Sequence, residues 1–137
     1  MYQSFIQLSG AADLAFFIAQ YHKNDSFLFF CGNRRNDDLP NILTNNKLRF
    51  EEIAVYNTEL NPRHFSGSFD GILFFSPSGV KSFIMNNNIG NSVAFCIGNT
   101  TAKEASLLTD SIVVPETPTI ENLLKKVISH YNLSLKK

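Results

Sequence analysis

Apolar and polar positions along this chain switch repeatedly between the period of a helix and that of a strand. Leu14, Phe17, Ile18 and Tyr21 recur three or four residues apart, which predicts a helix over residues 11–22. Ser26 to Cys31 is a short unbroken apolar run that ends at Gly32, which predicts a strand buried on both faces. Asp38 stands before Leu39, Pro40 and the pair Ile42 and Leu43, an N-terminal helix signal, and Asn45 and Asn46 close that helix. Arg49 to Tyr56 reads as a second strand, with Ile53 and Val55 pointing one way. Thr58 to Ser68, holding Asn61, Pro62 and Gly67, is the most loop-like stretch and joins two strands without a helix.

A regular rhythm follows. Strands are expected over Phe69–Phe75, Val93–Ile97 and Ser111–Val114, and helices over Ser78–Met85, Thr100–Leu108 and Thr119–Tyr131. Ile120, Leu123, Leu124, Val127 and Ile128 share one side of the last helix, and Thr119 can cap it with Glu121 in the first turn. Strands alternating with helices define an α/β fold: a parallel sheet with helices on both faces.

Composition narrows the function classes. The 137 residues are 44% hydrophobic, enough for one domain with a core or for two incomplete domains. Twelve basic side chains balance twelve acidic ones, so no global field favours nucleic acid or an anionic membrane. No stretch reaches the roughly 20 apolar residues of a membrane span. Met1 to Leu8 lacks a basic lead, so no signal peptide is expected, and Lys136 and Lys137 read as a solvated tail. Cys31 and Cys96 each follow an apolar run and read as buried, inert thiols in a reducing, cytoplasmic setting. His22, His64 and His130 lack partners at ligand spacing, so no metal is expected. No glycine-rich turn matches a nucleotide-binding fingerprint.

In a parallel α/β sheet, ligands bind beyond the carboxyl ends of the strands. Two such ends are rich in hydroxyls and small residues: Phe75-Ser76-Pro77-Ser78-Gly79 and Gly98-Asn99-Thr100-Thr101-Ala102. Each sits where a strand turns into a helix, and a helix start offers bare N–H groups and the positive end of a dipole. Together they would accept anions without a net basic charge. The alternative is that Ser76, Ser78, Thr100 and Thr101 only cap helices. Arg34 and Arg35, in the loop after the first strand, could bind a carboxylate, and Tyr56, at a strand end, could present its hydroxyl to a ligand.

Several strings together resemble one family. Phe29-Phe30-Cys31-Gly32-Asn33-Arg34-Arg35 with Asp38-Leu39-Pro40 resembles the strand, Gly, basic loop and Leu-Pro helix found midway along uroporphyrinogen-III synthases. Val55-Tyr56-Asn57-Thr58 is similar to that family's Tyr-x-Thr crossover, and Phe74-Phe75-Ser76-Pro77-Ser78-Gly79-Val80 to its Ser-Pro-Ser-Gly motif. Ile97-Gly98-Asn99-Thr100-Thr101-Ala102 is similar to its Ile-Gly-x-Thr-Thr-Ala motif, and Pro118-Thr119 with Glu121 to its final helix start. The resemblance spans about residues 26 to 130 and the later half of the family's usual length.

The resemblance implies a flavodoxin-like or Rossmann-like half-molecule of a two-domain synthase. Residues 1–57 would end one domain, 58–68 would be the crossover linker, and 69–137 would form most of the other, lacking its first strand. The family's active site lies in a cleft between its domains. Its substrate is hydroxymethylbilane, a linear tetrapyrrole with eight carboxylates, which it cyclises with inversion of the terminal ring and loss of water, using no cofactor. Carried over, Tyr56 would assist departure of the hydroxyl group, and Ser76, Ser78, Gly79, Gly98, Thr100 and Thr101 would bind substrate. Exposed sheet edges and apolar faces are expected. Three outcomes fit them: a piece of a longer chain, a homodimer completed by exchange, or repacking into one five-stranded domain. The competing function is a non-catalytic flavodoxin-like or response-regulator-like module that binds a small anion or a protein.

Overall fold

The structure, a computed structural model, describes Leu8 and residues 10–135. The expectations for residues 1–7 and for Lys136 and Lys137 fall outside the described residues. Ten elements follow in chain order: α1 (Ala11–Tyr21), β1 (Ser26–Gly32), α2 (Asp38–Asn45), β2 (Arg49–Tyr56), β3 (Gly71–Phe74), α3 (Pro77–Ile84), β4 (Val93–Cys96), α4 (Asn99–Ala105), β5 (Ile112–Val113) and α5 (Ile120–Leu135). They divide into two compact units, Met1–Glu59 and Leu60–Lys137.

In the first unit β1 and β2 pair in parallel, joined through α2. Ala15, Ile18 and Ala19 of α1 meet Leu39 and Leu43 of α2 and Leu48, with Phe27, Phe29 and Phe50 of the strands packed against them. Both helices therefore cover the same sheet face. α1 ends where the His22 amide donates to the Ile18 carbonyl, and the His22 ring meets Asp25 at 2.8 Å. α2 ends at Asn46, whose side-chain amide donates to the Ile42 carbonyl. Lys47 follows with a φ of 57°, the left-handed turn that commonly stops a helix.

The opposite sheet face carries Leu28, Phe30, Ile53 and Val55, by strand alternation. Leu28 and Phe30 are 59% and 60% exposed. This corrects the expectation that β1 is buried on both faces. A continuous apolar run marks a strand, but it does not say whether a second layer is present to cover it.

In the second unit β3, β4 and β5 form a parallel sheet in that order. Phe74, Ala94 and Cys96 pack with Val80 of α3 and Ala105 of α4 on one face, with Ile72, Phe83, Ile112 and Val114 at the margin. On the other face Phe95 is fully buried against α5, its ring 5.5 Å from that of His130 and 5.9 Å from that of Tyr131. Helices thus cover both faces here. Gly71 makes this packing possible: a Cβ there would lie 2.5 Å from the Tyr131 hydroxyl and 2.7 Å from Phe95 Cε2.

The described residues form a two-stranded and a three-stranded sheet, so the five-stranded repacking is not the arrangement adopted. β2 and β3 are joined by residues 57–70, which contain neither helix nor strand. Side chains tie this stretch down at both ends. Asn33 Oδ1 accepts from the Thr58 amide at 2.7 Å, and Arg34 Nε donates to the Thr58 carbonyl at 3.0 Å. Further on, Asn87 Oδ1 accepts from the Phe65 amide, while its Nδ2 donates to the carbonyls of Arg63 and Phe83. Among the described residues, no helix is long and apolar enough to cross a membrane.

Candidate functional site

The two hydroxyl-rich turns lie side by side. β3 and β4 run parallel with Phe74 opposite Cys96, and the Ile97 amide donates to the Phe74 carbonyl at 2.9 Å. Two residues beyond that pair stand Ser76 and Gly98, the N-caps of α3 and α4, both in extended conformation. Both turns therefore open at the same carboxyl edge of the sheet.

Ser76 Oγ accepts from the Gly79 amide at 3.1 Å and lies 3.0 Å from Ser78 Oγ. Pro77 takes the first helical position, where its missing N–H costs nothing. Capping is thus a definite role for Ser76. Ser76, Ser78 and Gly79 are all half-buried, and an acceptor arriving at this edge could still receive a hydroxyl proton. At α4, Gly98 has no side chain to cap with, and its carbonyl takes the Ala102 amide at 3.0 Å. The preceding amides, on Asn99, Thr100 and Thr101, belong to the opening turn that a helix leaves unpaired. Thr100 is exposed, whereas Thr101 is 3% exposed and packs inward. Its backbone amide, not its hydroxyl, is the group it can offer to a ligand.

A third turn, which the sequence marks as a helix start and not as a ligand-facing turn, shares this edge. After β5 the chain runs through Pro115 to Thr119, whose Oγ1 accepts from the Asn122 amide at 3.3 Å and caps α5. Pro118 leans on the second turn, its Cβ 3.5 Å from where a Gly98 side chain would begin. The signal was the Pro118-Thr119 string, read only as a helix start.

Tyr56 ends β2 in the first unit and is 62% exposed. Its hydroxyl makes no hydrogen bond among the described residues. Its ring lies over Gly32, where a Cβ would overlap Tyr56 Cε2 and sit 2.6 Å from Cζ. The loop arginines are already engaged. Arg34 holds the Thr58 carbonyl, and Arg35 forms ion pairs with Glu52 and Asp37. Hydrogen bonds to Glu52 and then Asp37 raise the Arg35 pKa further. Arg35 could turn to a ligand only by giving up a carboxylate, whereas Arg34 spends Nε alone and keeps its Nη donors.

Both cysteines are free and buried, and burial raises the pKa of Cys96. His64 Nδ1 lies 3.1 Å from the Asn86 carbonyl. Among the described residues, no group of three or more His, Cys, Asp or Glu could hold a metal ion.

Parallel strands alternating with helices, with helix-opening turns at one carboxyl edge in the second unit, define an α/β protein. A family model described as Uroporphyrinogen-III synthase HemD matches residues 4–125, and the chain belongs to the uroporphyrinogen-III synthase family. A porphyrin biosynthesis protein HemD from Ruminiclostridium josui is 29% identical over 117 residues, covering 77% of this chain and 23% of that protein. The fold is similar to the crystal structure of uroporphyrinogen-III synthetase from Helicobacter pylori 26695, with a TM-score of 0.66 and 22% identity. That match covers 82% of this chain and 56% of the solved one. The chain spans about a quarter of the length of the curated relative it matches.

Proposed function

We propose that this chain serves the uroporphyrinogen-III synthase reaction, in which hydroxymethylbilane loses water and closes to a macrocycle with its terminal pyrrole ring inverted. The observation that carries this reading is the family match over residues 4–125, with both of its Ser/Thr-Gly turns opening at one sheet edge. Ser76, Ser78 and Gly79 of one turn, and Gly98, Thr100 and Thr101 of the other, would bind substrate carboxylates through hydroxyls and opening amides. Tyr56 would donate a hydrogen bond to the departing hydroxyl group. The residues named are polar or small and none is cationic, so hydrogen bonds and helix dipoles would carry the recognition. Much of the acceleration would be positional: the substituted carbon of the last ring must meet the reacting terminus.

The test is incubation of the purified chain with enzymatically generated hydroxymethylbilane, followed by separation of the isomers. Type III product above the spontaneous type I background is expected, and type I alone would refute the reading for this chain. Tyr56→Phe should slow type III formation, and unchanged turnover would remove the tyrosine from the mechanism.

The partner we propose is a second copy. Leu28, Phe30 and Val55 leave an apolar sheet face more than half exposed in the first unit, and such patches mark association surfaces. Sedimentation should give a dimer that Leu28→Lys with Phe30→Lys converts to a monomer. A monomeric parent protein would refute it.

A further inference from the structure

We propose that Gly32 and Asn33 are positioning residues for Tyr56: together they hold its ring over the backbone and fix where its hydroxyl points. This rests on the reading of Tyr56 given above. Pairing of β1 with β2 is regular up to Cys31 opposite Ala54, then slips, so that Gly32 faces Tyr56. Irregularities of this kind re-aim a side chain at a strand end.

Gly32 stands there for space, not for backbone freedom. Among the described residues positive φ occurs at Lys47, Gly67 and Gly90, and not at Gly32. Its backbone suits any residue, yet a Cβ would overlap Tyr56 Cε2, with Cζ at 2.6 Å and Cδ2 at 3.0 Å. The missing side chain is the seat of the tyrosine ring.

Asn33 grips the chain at Tyr56 and two residues beyond it. Its amide donates to the Tyr56 carbonyl at 3.2 Å. Its Oδ1 accepts from the Thr58 amide at 2.7 Å, and its Nδ2 lies 3.5 Å from the Thr58 carbonyl. Arg34 Nε reaches the same carbonyl. A tyrosine 62% exposed at a strand end would otherwise sample several rotamers, and its hydroxyl would be spread over as many positions. Seat and grip restrict it to one. A misplacement of about 1 Å can cost roughly a hundredfold in rate.

Gly32→Ala is the discriminating variant, because it displaces the ring and leaves the hydroxyl in the protein. Type III formation by Gly32→Ala should fall about 10- to 100-fold in kcat with KM unchanged. The double variant Gly32→Ala/Tyr56→Phe should be no slower than Tyr56→Phe alone. If Tyr56→Phe is slow and Gly32→Ala turns over like the parent chain, the positioning claim fails and the role of Tyr56 stands. If Tyr56→Phe turns over normally, it is the role of Tyr56 that fails.

A second measurement does not need turnover. In NMR spectra of the full chain, a nuclear Overhauser contact should join the Tyr56 ring protons to the Gly32 α-protons. It should weaken or vanish in Asn33→Ala. It should survive in Asn33→Asp, which keeps the acceptor for the Thr58 amide. Persistence of the contact in Asn33→Ala overturns the part assigned to Asn33, and its absence from the parent chain overturns the seat.

Discussion

Ser76 has one role the structure shows and one it supports, and two substitutions separate them. Its Oγ caps α3 through the Gly79 amide at 3.1 Å and meets Ser78 Oγ at 3.0 Å. Ser76→Ala removes the cap, at a cost of about 1 kcal/mol, and leaves the half-buried Ser78 hydroxyl without that partner. In a unit of this size, 1 kcal/mol lowers the melting temperature by roughly 4–8 °C. Ser76→Asp behaves differently. Aspartate caps about as well as serine, and its charge at a helix start adds roughly 0.3–1 kcal/mol. Its stability should equal or exceed that of the parent chain. The same charge would face a substrate carboxylate, and at about 4 Å two like charges repel by about 1 kcal/mol even at the dielectric constant of water. With 1.4 kcal/mol per factor of ten, KM for hydroxymethylbilane should rise at least about fivefold. Circular-dichroism melts give the first quantity, and isomer yield against substrate concentration the second. A well-folded Ser76→Asp chain with unchanged KM would show that Ser76 is a cap and nothing more.

Two further outcomes follow from the second unit. Phe95 is fully buried between the sheet and α5, so Phe95→Ala should cost about 3–5 kcal/mol in chemical denaturation, and a loss under 1 kcal/mol would mean α5 is not docked as described. Burial, and secondarily Asp70, raise the Tyr131 pKa, and burial raises that of Cys96. Both groups are therefore protonated more strongly folded than unfolded. Their stabilisation is complete below the ordinary thiol value near 8.5 and is lost as pH climbs through the raised native values. Melting temperature should fall from about pH 9 upward, less steeply in Asp70→Asn, and a flat profile to pH 11 would contradict the burial of these groups.

Local chemistry made most of the elements legible. The Asp38-Leu39-Pro40 start, the apolar run after Ser26 and the cap at Thr119 each act within a few residues, and α2, β1 and α5 begin where those signals stand. β3 starts at Gly71, two residues after the expected Phe69, whose carbonyl accepts from the Ser92 hydroxyl. Long-range facts were hidden. Nothing near Leu28 and Phe30 says that both helices go to the other face. Nothing near Thr101 says that its side chain turns inward while that of Thr100 does not. The seat at Gly32 and the grip of Asn33 join residues 23 to 25 positions apart, beyond any periodicity. The turns at Ser76 and Gly98 could be placed together only because consecutive parallel strands carry their carboxyl ends to one edge.

The ties on residues 57–70 leave a narrow window for proteases. Thr58 is held by Asn33 and Arg34, and Arg63 and Phe65 are held by Asn87. Only Glu59 to Pro62 lie between these anchors, and the proline closes the last of those peptide bonds to most endopeptidases. A cut after Glu59 would sever no hydrogen bond and open neither apolar cluster. Each product would keep one whole apolar cluster.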